Sequence, residues 1–205
     1  MSTFTYMLKL HNTSKVLSIP IEFTPYTNLV SGWSSTTTGW SSANSSVKVT
    51  VDPVKNLLKS QCLNFTLAVQ DEGTIKKSFS GTPNTNYMIA CYIRNDGVLS
   101  SALRVGDKVD FSSNYFTNRL VVAVNSGSTG IIDIILDLYI RTTLQANAWV
   151  GGFFITEISD SDLLLDRDTL SLKYPHVGTS KSSPSARDLI SSKYAGSPFQ
   201  YFLLS

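Results

Sequence analysis

The sequence predicts an all-β protein, an antiparallel β-sandwich of the jelly-roll type with one or two short helices in its loops. Three observations predict it. Apolar residues recur at every second position in many short stretches and almost never with the period of a helix. The stretches are separated by Gly, Asn and Ser turns, without the strand–helix alternation that builds a parallel sheet. Strand pattern extends over about 155 residues, more than the roughly 100 of an immunoglobulin-type domain, and the Cys…Trp…Cys spacing of such a domain is missing. Eight strands with elaborated loops suit that length.

In chain order, residues 3–10 place Phe4, Tyr6, Leu8 and Leu10 on one face, and residues 16–23 do the same with Leu17, Ile19, Ile21 and Phe23. Both read as half-buried strands. Pro20 lacks a ladder donor, so the second is expected at an edge or with a bulge. Val47, Val49 and Val51 alternate next. The segment PVKNLLKS (53–60) reads as a short helix, with Asp52 as N-cap and Pro53 at the first helical position. Leu63, Phe65, Leu67 and Val69 resume the strand pattern, and residues 87–93 (YMIACYI) are apolar on both faces, as a central strand is.

The Asp96-Gly97 pair that follows is a hairpin signal. The stretch 103–111 reads as a tight Gly-Asp turn leading into a strand. Residues 120–124 (LVVAV) lead through a Ser/Gly loop into a ten-residue strand, whose inner face carries Ile132, Ile134, Leu136, Leu138 and Ile140. Residues 148–155 (AWVGGFFI) complete nine or so strands, and residues 161–169 are a second helix candidate.

The domain is read as residues 1–173, and 174–205 as a Ser/Pro-rich C-terminal arm. The arm ends in Phe199, Tyr201, Phe202, Leu203 and Leu204, an apolar tip that a purely disordered tail seldom carries. Two placements are open for it: docking in a hydrophobic groove on this subunit or a neighbour, or packing on its own domain as a last strand.

Composition narrows the function. The 205 residues carry 17 basic and 15 acidic side chains, 16% charged in all, against about 25% in an average domain. Serine and threonine, 30 and 20 of them, outnumber the charges. A nucleic-acid binder relying on a basic patch is excluded, because phosphate affinity comes mainly from clustered Lys and Arg. No apolar stretch is long enough to span a bilayer as a helix, and the N-terminus has neither a basic nor a continuous apolar region of a secretory signal. An intracellular protein or a processed form is expected. Cys62 and Cys91 read as free core thiols, and the sequons at Asn12, Asn44 and Asn64 are no more than chance supplies.

Catalysis needs converging titratable groups, and only two histidines, His11 and His176, are present. The nucleophile elbow, phosphate-binding loops and zinc spacings are all missing, so no catalytic residue, cofactor or metal is expected, nor an enzyme. The acidic stretch Glu157, Asp160, Asp162, Asp166 and Asp168 does not fit a calcium loop. It reads as a solvated loop in which Ser159 or Asp160 caps a short helix. The unusual segment is 31–42, where Gly-Trp-Ser-Ser occurs twice and places Trp33 and Trp40 in an uncharged Ser/Thr loop. Such indoles stack on sugar rings or fill a partner's pocket; alternatively they fold back over the open end of the sandwich. Burial of at least one is expected, since an exposed pair invites aggregation.

With KVLSIPIEF, PVKNLLKS, YMIACYI, LVVAV and GIIDIILDLYI in hand, the chain resembles the single-jelly-roll capsid proteins of small non-enveloped RNA viruses, particularly the small coat subunits of plant picorna-like viruses. The resemblance implies a structural protein of the virion, assembling alone or with other coat subunits into an icosahedral shell around RNA in the host cytoplasm. It further implies only weak, non-specific RNA contact and no catalysis. One departure stands out: the first 47 residues hold only Lys9 and Lys15 as bases, so there is no RNA-neutralising arm. The alternative reading is a carbohydrate- or receptor-binding β-sandwich, secreted or at the cell surface after processing, with Trp33 and Trp40 as contact residues.

Overall fold

The computed structural model describes residues 2–9, 16–23, 26–42, 47–57, 60–67, 72–96, 99–113, 117–140 and 145–174. The arm tip (Phe199, Tyr201, Phe202, Leu203, Leu204) and both histidines lie outside the described residues. Antiparallel strands dominate, as the alternation predicts. A two-stranded ribbon of β1 (Ser2–Lys9) and β2 (Val16–Phe23) sets Pro20 opposite Thr5. The rest forms two five-stranded sheets. The front sheet has the order β10-β7-β12-β5-β4, built from β4 (Val47–Leu57), β5 (Ser60–Leu67), β7 (Asn86–Asn95), β10 (Asn118–Asn125) and β12 (Ala146–Glu157). The back sheet has the order β3-β6-β11-β8-β9, from β3 (Ser41–Ser42), β6 (Glu72–Ser80), β8 (Leu99–Val105), β9 (Lys108–Ser112) and β11 (Ile131–Ile140). Two short helices follow, α1 (Asp160–Leu163) and α2 (Arg167–Lys173). None is long and apolar enough to cross a membrane among the described residues.

The inward faces interlock as one core that includes Phe65, Ile89, Leu103, Leu136, Phe153 and Ile155. Cys91 belongs to it, and Cys62 and Cys91 are both buried free thiols. Burial pushes the Cys91 thiol upward, with the Asp110 charge acting in the same direction.

Two expectations about the connections are corrected. The helix expected over residues 53–60 is not formed where the chain is described: β4 runs through Pro53 to Leu57, and Leu57 pairs with Ser60. Asp52 does accept from the Val54 amide, at 3.0 Å, but that bond closes a local turn within a bulge, where the register shifts between Asp52 and Asn56. A bulge tolerates a proline that lacks a ladder donor. The Asp96-Gly97 pair does not close a hairpin either, because β7 and β8 lie in different sheets. Asp96 instead serves β12, its carboxylate accepting from the Asn147 amide at 2.5 Å.

β12 carries the decisive irregularity. Its register against β7 shifts between Gly151 and Phe154, and Gly152 adopts a φ of 58°, a left-handed conformation that glycine takes without strain. The pairing of β12 with β5 ends at Gly151. Beyond that point Asn28, itself buried, takes the place of a strand. Its amide donates to the Phe153 carbonyl at 3.0 Å and its oxygen accepts from the Ile155 amide at 3.2 Å. Leu29 continues the pairing by donating to the Ile155 carbonyl.

The acidic stretch is divided into caps and a latch. Ser159 caps α1 and Asp166 caps α2. Among the described residues no cluster could hold a metal ion. Asp162 is buried and accepts from Lys173 and from the Tyr174 hydroxyl, both at 2.5 Å. Tyr174, read from sequence as the first residue of the arm, is therefore buried in the domain. It joins Tyr26, Met88, Val121, Phe154 and Leu170 in a second cluster on the outer face of the front sheet.

Two measurements follow from these contacts. Asn28→Ala removes the partner of the buried Phe153 carbonyl and of the Ile155 and Val30 amides, at about 1–3 kcal/mol each. A urea-unfolding loss of about 3 kcal/mol is expected, and a loss within error would show that Asn28 does not brace β12. For Asp162, burial alone would raise the carboxyl pKa, but the bonds from Lys173, Tyr174 and Ser159 outweigh it and hold the group below the usual carboxylate range. A depressed folded pKa stabilises above the unfolded value of about 3.9 and is lost as pH falls through the folded one. Asp162→Asn is expected to cost about 2 kcal/mol at neutral pH, the weight of one hydrogen bond to a charged group, and the gap from the parent protein should close in acid. A gap independent of pH would rule out the charged latch.

Candidate functional site

Trp33 and Trp40 are brought together, and against the core. Val30 anchors the preceding turn in the main cluster, so the short 3-10 turn Trp33–Ser35 sets Trp33 over the gap between the sheets. The two indoles meet edge-on at 5.9 Å, and both pack on Phe153, at 6.0 and 5.0 Å; Trp40 also meets Phe65 at 5.9 Å. Lys77 lies at a β6 position of inward parity, between Ile75 and Phe79. Its ammonium sits 4.6 Å from the Trp33 ring centre and 5.6 Å from that of Trp40, and donates to the Thr38 carbonyl at 2.7 Å. Burial lowers the Lys77 pKa. The Trp40 ring nitrogen is buried without a hydrogen-bond partner among the described residues. Both rings are half-buried, and the surfaces they offer are engaged by the core and the cation. The pair acts as a cap on the edge of the sandwich.

The third tryptophan has a different setting. Before the bulge, Ala146, Ala148 and Val150 point into the core, so Asn147 and Trp149 face outward. Residues opposite each other on antiparallel strands share a face. Trp149 stands opposite Arg94 on β7 and Asn64 on β5, and Asn64 stands opposite Thr50 on β4. In the adjoining row Asn147 faces Thr66, and Thr66 faces Lys48. The outcome is one half-buried indole in a floor of amides, hydroxyls and charges.

This floor is held in place by its own bonds. The Trp149 ring nitrogen donates to Asp52 Oδ2 at 3.0 Å, fixing the ring edge, and the Thr66 hydroxyl donates to Asn147 Oδ1 at 3.0 Å. At one end the face is walled. Arg119, opposite Tyr92, sits 6.0 Å from that ring and donates to the carbonyls of Ser171 and Tyr174 at 3.1 and 2.7 Å. The guanidinium thus fastens the end of α2 beside the face. Burial raises the Tyr92 pKa.

Stacking, hydrogen bonding and charge pairing are what such a surface offers. Sequence reasoning passed over Trp149 because it lies inside a strongly apolar strand. Its signal was parity: it shares the side of Asn147, opposite to Ala148 and Val150. A cleft beside the β8–β9 turn is lined by Arg104, Asp133, Ile131 and Leu164 among others, but its arginine is bound to Asp137 and its aspartate to Lys76.

No family model and no curated protein matches this sequence. Solved structures do resemble it in fold. The enzymatically active domain of bacteriophage CBA120 tailspike protein 4 superposes with a TM-score of 0.49 at 11% identity, over 64% of this chain and 21% of that one. The CBM22-1 xylan-binding domain of Paenibacillus barcinonensis Xyn10C gives 0.46 at 16% identity, covering 66% and 94%. TmCBM61 in complex with β-1,4-galactotriose gives 0.45 at 17%, covering 58% and 87%. The expectation of a shell-forming coat subunit is corrected by these neighbours, which are carbohydrate-binding modules and a tailspike domain rather than viral coat proteins. A jelly-roll outline is shared by unrelated functions, and the strand pattern behind that expectation reports only the outline.

Proposed function

We propose that this chain is a carbohydrate-binding β-sandwich module, with its ligand surface on the outer face of the front sheet around Trp149. One observation carries the reading: an indole fixed at its edge by Asp52, on a sheet face otherwise made of Asn64, Thr66, Asn147 and Arg94. A sugar ring presents an apolar face that stacks on an indole and a rim of hydroxyls that bonds to amides and charged groups. Strands hold such groups more precisely than loops do. In this reading the module grips its ligand and performs no chemistry on it.

Trp33 and Trp40 have a supporting part, sealing the edge of the sandwich behind β12. The two roles separate by mutation. Trp149→Ala is expected to weaken retention by immobilised polysaccharide in affinity electrophoresis by about 30-fold, the effect of losing one anchoring aromatic worth roughly 2 kcal/mol. Trp33→Ala and Trp40→Ala should leave retention intact and lower the unfolding midpoint. Retention unaffected by Trp149→Ala but abolished by either loop substitution in a folded protein would move the site to the loop.

A further inference from the structure

We propose that the ligand of this face is an acidic polysaccharide whose repeating units carry uronate carboxylates. The inference rests on the carbohydrate-binding reading and specifies its substrate class. It comes from where the described cations stand. Nine Lys and Arg side chains are described. Five of them are in ion pairs with carboxylates. Arg119 donates to the carbonyls at the end of α2, and Lys77 to the Thr38 carbonyl between two indoles. The remaining two, Lys48 and Arg94, make no hydrogen bond or ion pair among the described residues.

Both lie on the face of Trp149. Arg94 is directly opposite the indole on β7, and Lys48 is on β4 in the adjoining row, across Asn147 and Thr66. The carboxylates near them are already in use: Asp52 accepts from the Trp149 ring and the Val54 amide, and Asp96 from the Asn147 amide. Elsewhere in the described chain the basic side chains are satisfied by bonds within the protein. Here two positive charges stand ready on either side of an aromatic platform.

The spacing selects a polymer. Three strand intervals separate β7 from β4, roughly 14 Å, so one small anion cannot meet both charges, while a chain with an acid on successive sugars can. A guanidinium engages a carboxylate through two parallel bonds, with the stacked sugar beside it. Nucleic acid suits the face less well, because two cations release few counterions, whereas the amides and hydroxyls of Asn64, Asn147 and Thr66 match a ligand rich in hydroxyls.

The test is affinity electrophoresis of the full chain with polygalacturonate and with a neutral galactan, at low and high salt, with single-stranded DNA as competitor. Binding to polygalacturonate that weakens as salt rises is expected, with about a tenfold loss in Arg94→Ala, the weight of one charged hydrogen bond. Arg94→Lys should recover part of it, and Lys48→Ala should lose less than Arg94→Ala. Both positions are on the surface, and circular dichroism checks that the variants fold. Equal binding to galactan, indifferent to salt and to Arg94→Ala, would overturn the acidic ligand and leave the carbohydrate reading standing. No retention by either polymer would overturn both. Displacement by DNA as strong as by polygalacturonate would assign the face to nucleic acid and sink the proposal.

Discussion

The arrangement of this protein depends on one irregularity, the bulge at Gly151 and Gly152 in β12. A regular strand keeps a single parity along its length, and a slip of one residue exchanges its faces. β12 needs both parities. Before the bulge Ala148 and Val150 point inward and Trp149 outward; after it Phe153 and Ile155 point inward and Phe154 outward. Phe153 can thus support the Trp33–Trp40 cap from inside, while Phe154 carries the outer cluster around Tyr26 and Tyr174. The bulge frees backbone groups on the β5 side, and Asn28 satisfies them. A buried asparagine from a loop therefore sets the edge against which both the cap and the outer face are built.

The front sheet is divided as a result. At one end its outer face is closed by apolar packing and the Asp162 latch; at the other it stays polar. The back sheet handles its outer face differently. Asp137 is nearly buried there, and Arg104 grips it with bonds of 2.7 and 3.1 Å while Thr74 donates to it at 3.0 Å. Lys76 and Ser78 converge on Asp133, both at 2.6 Å, and hold its carboxyl below the usual range. Across the domain, Asp110 accepts from both the Val121 amide and Arg167, joining β9 to β10 and α2. A sequence with few charges spends most of the described ones on fastening elements together, which is why two cations left unused on a single face are conspicuous.

The sequence was misread where a local signal had more than one use. Asp-Pro at 52–53 suits a helix start, yet a bulge needs the same turn-forming aspartate and accepts the same donorless proline. Asp96-Gly97 suits a hairpin, but whether the next strand pairs or crosses to the other sheet is settled by which inward faces bury each other. Trp33 and Trp40 were not misread in this way: burial of at least one is the expectation from the sequence, and both rings pack on Phe153. Lys77, some 40 positions away in the chain, is what covers their rings. A cap at Ser159 or Asp160 was legible, since a cap acts within three residues of itself, and the structure places it at Ser159.

The sequence by itself determined what depends on near neighbours: the alternation of most of the strands, the fold class and the cap of α1. Alternation is a property of each strand, and burial follows directly from it. Only the tertiary structure decided which tryptophan faces outward in polar company. Asn64, Arg94 and Asn147 come from three strands, and Asp52, which fixes the Trp149 ring, comes from a fourth. Their meeting is set by sheet order and register, and these come from packing the whole core rather than from any stretch of the chain.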